Sequence, residues 1–346
     1  MVYKKIQKHI EIVRSSTPAL SSMSLKSCEA LLALLKTRYA TVNVSTVNTV
    51  LDLNALVIKK PDLAFMGMKY VPGLLPGRKV WVADYLEKHG IAHTGSPKKA
   101  IQFEQNKPLA KQHVLDAGVK TSPYVVIKKG RAINATDITL RFPLFVKPAN
   151  LGAGQGVDDN SVVHTLAGLN TKIRSIHANH ATDVLVEEYL SGREFSVAIL
   201  KHEYSDDLMV MPLELIAGPN VHGDRILSEE LKSAELETPT FPVAEGKLRS
   251  LLIDLAANAF VALGARDYGR VDIRLDADGI PHFLEANLIP CLIRGSGNFP
   301  KACMFNIGMD YEAMILHIVR LGLARAVEDE ADPVALYSPI AATAPA

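Results

Sequence analysis

The sequence predicts an α/β section joined to an α+β body, and three observations lead there. The 346 residues exceed one ordinary core, so two or three domains are expected. Over about the first hundred residues apolar runs alternate with helix-like patterns, as βαβ units require. Beyond them, short apolar segments separated by turns read as antiparallel strands with helices beside them.

In chain order, IEIV, VNVSTV, DLAFMGM and the stretch near IAHTG supply the first strands. Leu25, Cys28, Leu32 and Leu35 form the apolar stripe of the intervening helix, entered through Ser21, Ser22 and Ser24, which suit an N-cap. This is a Rossmann-like open sheet, ending near Gln105. Asn106 to Ala117 reads as a new helix, and GVKTSPYVVI as turn and strand. Next come PLFVKPA, a glycine-rich turn, SVVHT, a helix around Leu166 to His177, and the strands VLVEEYL and EFSVAIL. The third section holds the strand DLMVMPLEL, a polar loop from Ile216 to Pro239, and a helix from Lys247 to Leu263. A hairpin from Tyr268 to Asn287 and a helix from Tyr311 to Arg325 complete it. The expected domains are therefore 1–105, 106–201 and 202–326, with a disordered tail over 327–346, whose DEADP and PIAATAPA stretches have little to bury.

Composition excludes several partners. Lys plus Arg (38) against Asp plus Glu (37) leaves a charge of +1, so no basic footprint for nucleic acid stands out. The longest apolar stretches, such as Ala30 to Leu35, fall far short of a membrane span, and a soluble protein without membrane association is expected. The cationic start has no apolar run behind it, so a cytoplasmic location is expected. Three cysteines (Cys28, Cys291, Cys303) without CxxC spacing argue against both disulfides and a zinc site.

The segment YGRVDIRLDADGIPHFLEAN carries the strongest local argument. With Asp278-Gly279 as a two-residue hairpin turn, Leu275 faces His282, Ile273 faces Leu284 and Val271 faces Ala286, a largely apolar face. On the other face Asp272 falls opposite Glu285, and Arg270 opposite Asn287. Opposed carboxylates repel unless a hard cation bridges them, and Asp, Glu and Asn oxygens are a ligand set that Mg²⁺ accepts. The competing reading is a solvated face whose charges are spaced by chance. In FVKPANLGAGQGV, Lys147 and Gly152, Gly154 and Gly156 could hold a phosphate, or form a plain flexible loop. In VLVEEYLSGREF, Glu187, Glu188 and Glu194 end a strand whose amides could read adenine while a carboxylate accepts ribose hydroxyls; an exposed acidic strand end is the alternative. His177 and His180 read as solvated histidines at a helix end. Cys291 offers either a backbone N–H to an oxyanion or a buried inert thiol. Arg294, with Ser296 in the same CLIRGSGNF loop, could clamp a substrate carboxylate or sit in solvent.

Taken in this order, the segments resemble the ATP-grasp ligases, and more narrowly the D-alanine-D-alanine ligase family, over about residues 90 to 325. The resemblance implies the ATP-grasp fold, ATP as cosubstrate and two Mg²⁺ ions, with Mn²⁺ as an alternative. It gives Lys107 and Lys147 to the ATP phosphates or adenine, with the Gly152–Gly156 loop, Ala153 included, closing over the phosphates. Glu187, beside Glu188, and the Leu190 backbone would read adenine, and Glu194 would bind ribose. Asp272, Glu285 and Asn287 would hold the metal, and Arg270 would stabilise the oxyanion. The family's mobile-loop lysine corresponds to Arg225, or to Lys232 if the loop is shifted. The departures concern the first substrate: the polar readers of its ammonium correspond to Leu20, Ala153 and Ile226, and a His-Gly pair corresponds to Met66-Gly67. The implied activity is ATP-dependent C–N bond formation between an acid, activated as an acyl phosphate, and an amine, with an altered first pocket. An imine-forming ligase of the mycosporine type and a non-catalytic nucleotide-binding module are the alternatives. The partners implied are small molecules, with a homodimer as the open option for assembly.

Overall fold

β1 (Ile6–Arg14), β2 (Tyr39–Thr46) and β3 (Leu63–Met66) form a parallel sheet in the order β2-β1-β3. The computed structural model describes residues 4–131, 133–134, 138–152, 154–220, 222–227 and 240–331. The helix Leu25–Arg38 links β1 to β2 and opens on Ser24, whose hydroxyl accepts from the Ser27 amide at 3.1 Å. Its buried stripe is Cys28, Leu31 and Leu35. Leu25, expected in that stripe, is 64% exposed, because a 3.6-residue period lets either Leu31 or Leu32 complete the face and the chain uses Leu31. A short hairpin of β4 (Tyr70–Pro72) and β5 (Lys79–Trp81) follows, too brief to show as alternation in the sequence. Among the described residues, 4–95 group with 312–331 into one compact unit, and those of 96–311 into the other. The last helix, Tyr311–Ala331, runs past the expected limit at Arg325 into the segment expected to be a tail; the rest of that tail lies outside the described residues.

The second unit carries two antiparallel sheets. β6 (Tyr124–Ile127), β7 (Leu144–Pro148), β8 (Val162–Val163) and β9 (Val184–Glu188) lie in the order β6-β9-β7-β8. Leu144, Val146 and Val186 pack beneath the helix Leu166–His180 through Leu169, Ile173 and Ile176. β10 (Glu194–Lys201), β11 (Leu208–Leu215), β12 (Thr240–Pro242), β13 (Tyr268–Leu275) and β14 (Pro281–Asn287) lie in the order β12-β11-β10-β13-β14. β10 pairs with both β11 and β13, so the chain on either side of residue 201 shares one sheet and one core. In that core Leu252, Ala256 and Phe260 of the helix Lys247–Ala262 meet Val197, Val271, Ile273 and Phe283. Among the described residues no helix is long and apolar enough to cross a membrane.

The β13–β14 hairpin departs from its expected register in an instructive way. Arg270↔Asn287, Val271↔Ala286 and Asp272↔Glu285 pair as expected, but Ile273 faces Phe283 and Leu275 faces Pro281. The turn is one residue longer than a two-residue Asp-Gly turn. Asp276 donates its amide to the Ile280 carbonyl (3.0 Å), its carboxylate accepts from the Asp278 and Ile280 amides (3.0 and 2.8 Å), and Gly279 takes φ +76. This is a three-residue loop closed by a left-handed glycine. A bulge at Leu284 then restores the register beyond Asp272, and it sets Leu284 and Glu285 together on the cleft side.

Candidate functional site

A cleft in the second unit is lined by the end of β9, the start of β10, the polar face of β13 and the bulged part of β14. Alternation along β13 explains its floor: Val271 and Ile273 face the core, so Arg270, Asp272 and Arg274 face the cleft. Arg270 grips Asp272 with two parallel bonds, Nε to Oδ1 at 2.9 Å and Nη2 to Oδ2 at 3.0 Å. Asp272 also accepts from Asn287 Nδ2 (3.0 Å) and Ser196 Oγ (3.0 Å). Burial works against the Arg270 charge, but Asp272 and then Glu285 outweigh it and hold the guanidinium firmly protonated. Two carboxylates and an amide therefore gather at one place, with oxygen donors of the kind a hard cation takes. Among the described residues no group of three His, Cys, Asp or Glu side chains is close enough to hold a metal by itself.

Two lining residues, Lys147 and Glu187, form a buried charge triad with Lys111. Glu187, 2% exposed, lies 2.5 Å from Lys111 Nζ and 2.8 Å from Lys147 Nζ. Burial pushes the Glu187 carboxyl up, yet Lys111 and Lys147 more than offset it and hold it below the usual range. Burial likewise lowers Lys147, but the Glu187 and Glu285 charges leave it raised. Lys111 is fully buried, and there burial wins and lowers it. Lys107 reaches the Leu151 carbonyl at the start of the glycine loop, and its Nζ lies 3.5 Å from Glu285. It sits just after the cap of Asn106, whose side chain accepts from the Leu109 amide (3.2 Å).

The glycine loop is built as a close approach. Gly154 and Gly156 take φ +78 and +74, and a Cβ on Gly156 would lie 2.7 Å from Pro148 Cγ. Lys172, buried on the helix Leu166–His180, ties the loop's end by donating to the Gly156 carbonyl (3.0 Å) and to Asp158 (2.7 Å). Ala153 lies outside the described residues.

Of the residues singled out from sequence, Lys107, Lys147, Gly154, Glu187, Glu188, Leu190, Glu194, Ile226, Arg270, Asp272 and Glu285 all line the cleft. Asn287 reaches it through Asp272. Gly152 and Gly156 belong to the loop but not to the lining. The Glu188 carboxylate is held by Arg141, through its amide at 3.0 Å and Nη2 at 3.1 Å, while the Glu188 carbonyl accepts from Ser122 (2.6 Å). Arg225 is not brought in: its guanidinium donates to the Ala217 carbonyl at 2.7 Å, and its successors Ile226 and Leu227 line the cleft instead. Lys232 lies outside the described residues. Cys291, half-buried, has its thiol pushed up by burial, which leaves it a poor nucleophile. Arg294 and Ser296 are exposed, with the Arg294 guanidinium 5.8 Å from the Tyr311 ring centre. Leu20 and Met66 belong to the first unit, Leu20 closing a short turn after Pro18 and Met66 ending β3 at 2% exposure. His177, expected in solvent, instead has a buried Nε2 without a hydrogen-bond partner among the described residues, on a helix that continues to His180.

Arg274 in the cleft lining and Lys111 buried behind it were missed from sequence, and both left a signal. Arg274 lies two positions beyond Asp272 on the polar face of the same strand. Lys111 lies four positions after Lys107 on one helix, hence on the same side.

A sequence profile of the family described as D-ala D-ala ligase C-terminus matches residues 114–320, more than half of the chain. The chain is 36% identical over 237 residues to the uncharacterized protein y4sG of Sinorhizobium fredii, a match taking in 66% of each chain. It is 27% identical over 321 residues to a D-alanine–D-alanine ligase of Trichlorobacter lovleyi, covering 90% of this chain and 94% of that one. In three dimensions it is similar to the crystal structure of a D-alanine–D-alanine ligase from Bacillus anthracis complexed with ATP, with a TM-score of 0.71 at 20% identity, covering 93% of this chain and 99% of that one.

Proposed function

We propose that this chain, which belongs to the D-ala D-ala ligase family and is an ATP-dependent carboxylate–amine ligase of ATP-grasp fold, joins two different substrates, with an acid other than D-alanine in the first position. The observation that carries the nucleotide part is the meeting of Lys107, Lys147, Glu194, Arg270, Asp272 and Glu285 in one cleft. Lysines from a helix and a strand supply positive charge where phosphates would lie, and the carboxylates supply ligands for the cation that accompanies them. Asp272, Glu285 and Asn287 would hold Mg²⁺, which when bound neutralises charge on the transferred phosphoryl group. The Asn287 amide donates to Asp272 and so leaves its carbonyl oxygen as the third ligand atom.

In this reading an acid's carboxylate oxygen attacks the γ-phosphorus, ADP leaves, and the amine nitrogen then attacks the acyl carbon. Phosphate departs and the nitrogen sheds a proton. Arg270, fixed by Asp272, stabilises the oxygen that becomes negative in the tetrahedral intermediate. Adenine would lie against Leu190 and Glu187, with Glu194 accepting from the ribose.

The substrate part rests on residue chemistry. Leu20, Ala153 and Ile226 stand where the resembled enzymes carry polar readers of an ammonium, and Ile226 is 3% exposed in the cleft wall. An ammonium beside Ile226 would meet a side chain with no acceptor, and a buried charge without a partner is strongly disfavoured. An acid lacking that ammonium fits better, with Arg270 and Arg294 as the cations to receive it.

Glu194→Ala tests the nucleotide seat. It should raise the KM for ATP more than it lowers kcat, as loss of uniform binding does. Steady-state ADP release would show this, and an unchanged KM with a collapsed kcat would give Glu194 a different role.

A further inference from the structure

Arg274 enters the cleft on the same face of β13 as Arg270 and Asp272, and the reaction as described leaves it without a task. It is 7% exposed, so its charge must be matched by partners within the protein. Nη1 donates to Glu194 Oε2 at 3.0 Å. Nη2 donates to the Tyr189 hydroxyl at 2.9 Å and to the Arg225 carbonyl at 2.6 Å, and the guanidinium lies 4.9 Å from the centre of the Tyr189 ring. The Tyr189 hydroxyl in turn donates to the Arg225 carbonyl and accepts from the Arg225 amide, both at 3.1 Å. Nε is buried and finds no hydrogen-bond partner among the described residues.

One guanidinium thus joins three things: the carboxylate at the start of β10, the tyrosine between β9 and β10, and the backbone leading to Ile226 and Leu227 in the cleft wall. Only a planar, forked donor can serve all three at once. A lysine ammonium at this position would reach one acceptor well and give up the fork and the stacking. An apolar residue would remove the ion pair with Glu194.

We infer that Arg274 is a specificity-determining positioning residue for the nucleotide sugar, an inference that rests on Glu194 receiving the ribose. A carboxylate has about four lone-pair positions, so the bond from Arg274 helps to fix its orientation without exhausting it. A carboxylate held in place discriminates between a sugar with two vicinal hydroxyls and one with a single hydroxyl, because the missing donor leaves a fixed acceptor unpaired. Without the bond from Arg274 the carboxylate is held less firmly, and the discrimination shrinks. Tyr189 and the Arg225 carbonyl, held by the same guanidinium, keep the walls of that seat in place.

The test is equilibrium binding of Mg-ATP and Mg-2′-deoxy-ATP by calorimetry, which needs neither the acid nor the amine. It uses the full chain, wild type and Arg274→Lys, Arg274→Gln, Tyr189→Phe and Glu194→Ala, with a melting curve for each. Wild type should prefer ATP by about tenfold or more, the worth of one well-placed hydrogen bond. In Arg274→Lys and Arg274→Gln the preference should fall to within about twofold while ATP still binds, and Tyr189→Phe should narrow it in the same direction by less. An unchanged ATP preference in an Arg274 variant with a wild-type melting temperature would overturn the inference, as would equal weakening of both nucleotides. If the Arg274 variants do not fold, an unchanged preference in folded Tyr189→Phe overturns it equally. A Glu194→Ala protein that keeps the full preference would instead overturn the ribose reading itself.

Discussion

Glu285→Gln should lower Mg-ATP turnover by about a hundredfold or more while leaving the melting temperature near that of wild type. Asp272→Asn should lose as much activity and some stability besides. The difference follows from what each carboxylate holds. Asp272 and Glu285 are direct partners across β13 and β14, and two such charges repel. In the protein each is offset by its own cation: Arg270 chelates Asp272, and Lys107 lies 3.5 Å from Glu285. Removing the Asp272 charge leaves Arg270 without its bidentate partner. Breaking a fully buried pair costs about 3–5 kcal/mol, and less where, as here, the side chains keep 18% and 12% exposure. Glu285 is 28% exposed and its contact with Lys107 is longer, so neutralising it costs less stability than neutralising Asp272. ADP release against Mg²⁺ concentration would check both, and near-normal turnover by Glu285→Gln would contradict its role as a metal ligand.

The largest stability loss is expected from Glu187→Gln. The substitution leaves Lys111 and Lys147, both ammonium groups buried, with no carboxylate between them. Leaving such charges unpaired costs about 3–5 kcal/mol, which is much of the stability of an ordinary domain. Replacing the pair together, Lys111→Met with Glu187→Met, should recover part of that loss, since it removes one of the two stranded ammonium groups and leaves Lys147. Thermal and denaturant melts of the single and double variants would measure the coupling, and equal losses in both would contradict the triad. The pH dependence has a definite sign. Because the Glu187 carboxyl is lowered in the folded protein, its stabilisation is fully present above the unfolded carboxylate value of 4.5 and is lost as pH falls through the lower folded value. Lys147, raised, stabilises below 10.5 and loses that contribution as pH rises through its folded value. Lys111, lowered, acts in the opposite sense and gains as pH rises toward 10.5.

How much of this was legible in the sequence depends on the range of the interaction. The facing of Asp272 with Glu285 and of Arg270 with Asn287 follows from strand alternation alone, and these pairs form. They form despite two local errors that cancel, since the turn is one residue longer than Asp-Gly implies and the bulge at Leu284 takes the residue back. Nothing in a two-residue alternation announces a bulge, whose position depends on which side chain the core will accept. Glu187 was legible as a site residue but not as the centre of a buried triad, because Lys111 and Lys147 come from a helix and a strand far apart in sequence. Arg225 shows the reverse: a local match of loop residues pointed to a cleft cation, and the guanidinium is spent on the Ala217 carbonyl eight residues earlier.

The chain is an ATP-dependent ligase, and we propose that its first pocket does not hold an amino acid's ammonium. That proposal is tested most directly by ADP release and product mass from a panel in which D-alanine alone is compared with mixed pairs of one amino acid and one different acid or carbonyl compound. Little ADP is expected from D-alanine alone, much more from a mixed pair, and a product mass equal to both partners less one water. Efficient conversion of D-alanine to its dipeptide, at a rate comparable with the best mixed pair, would contradict it.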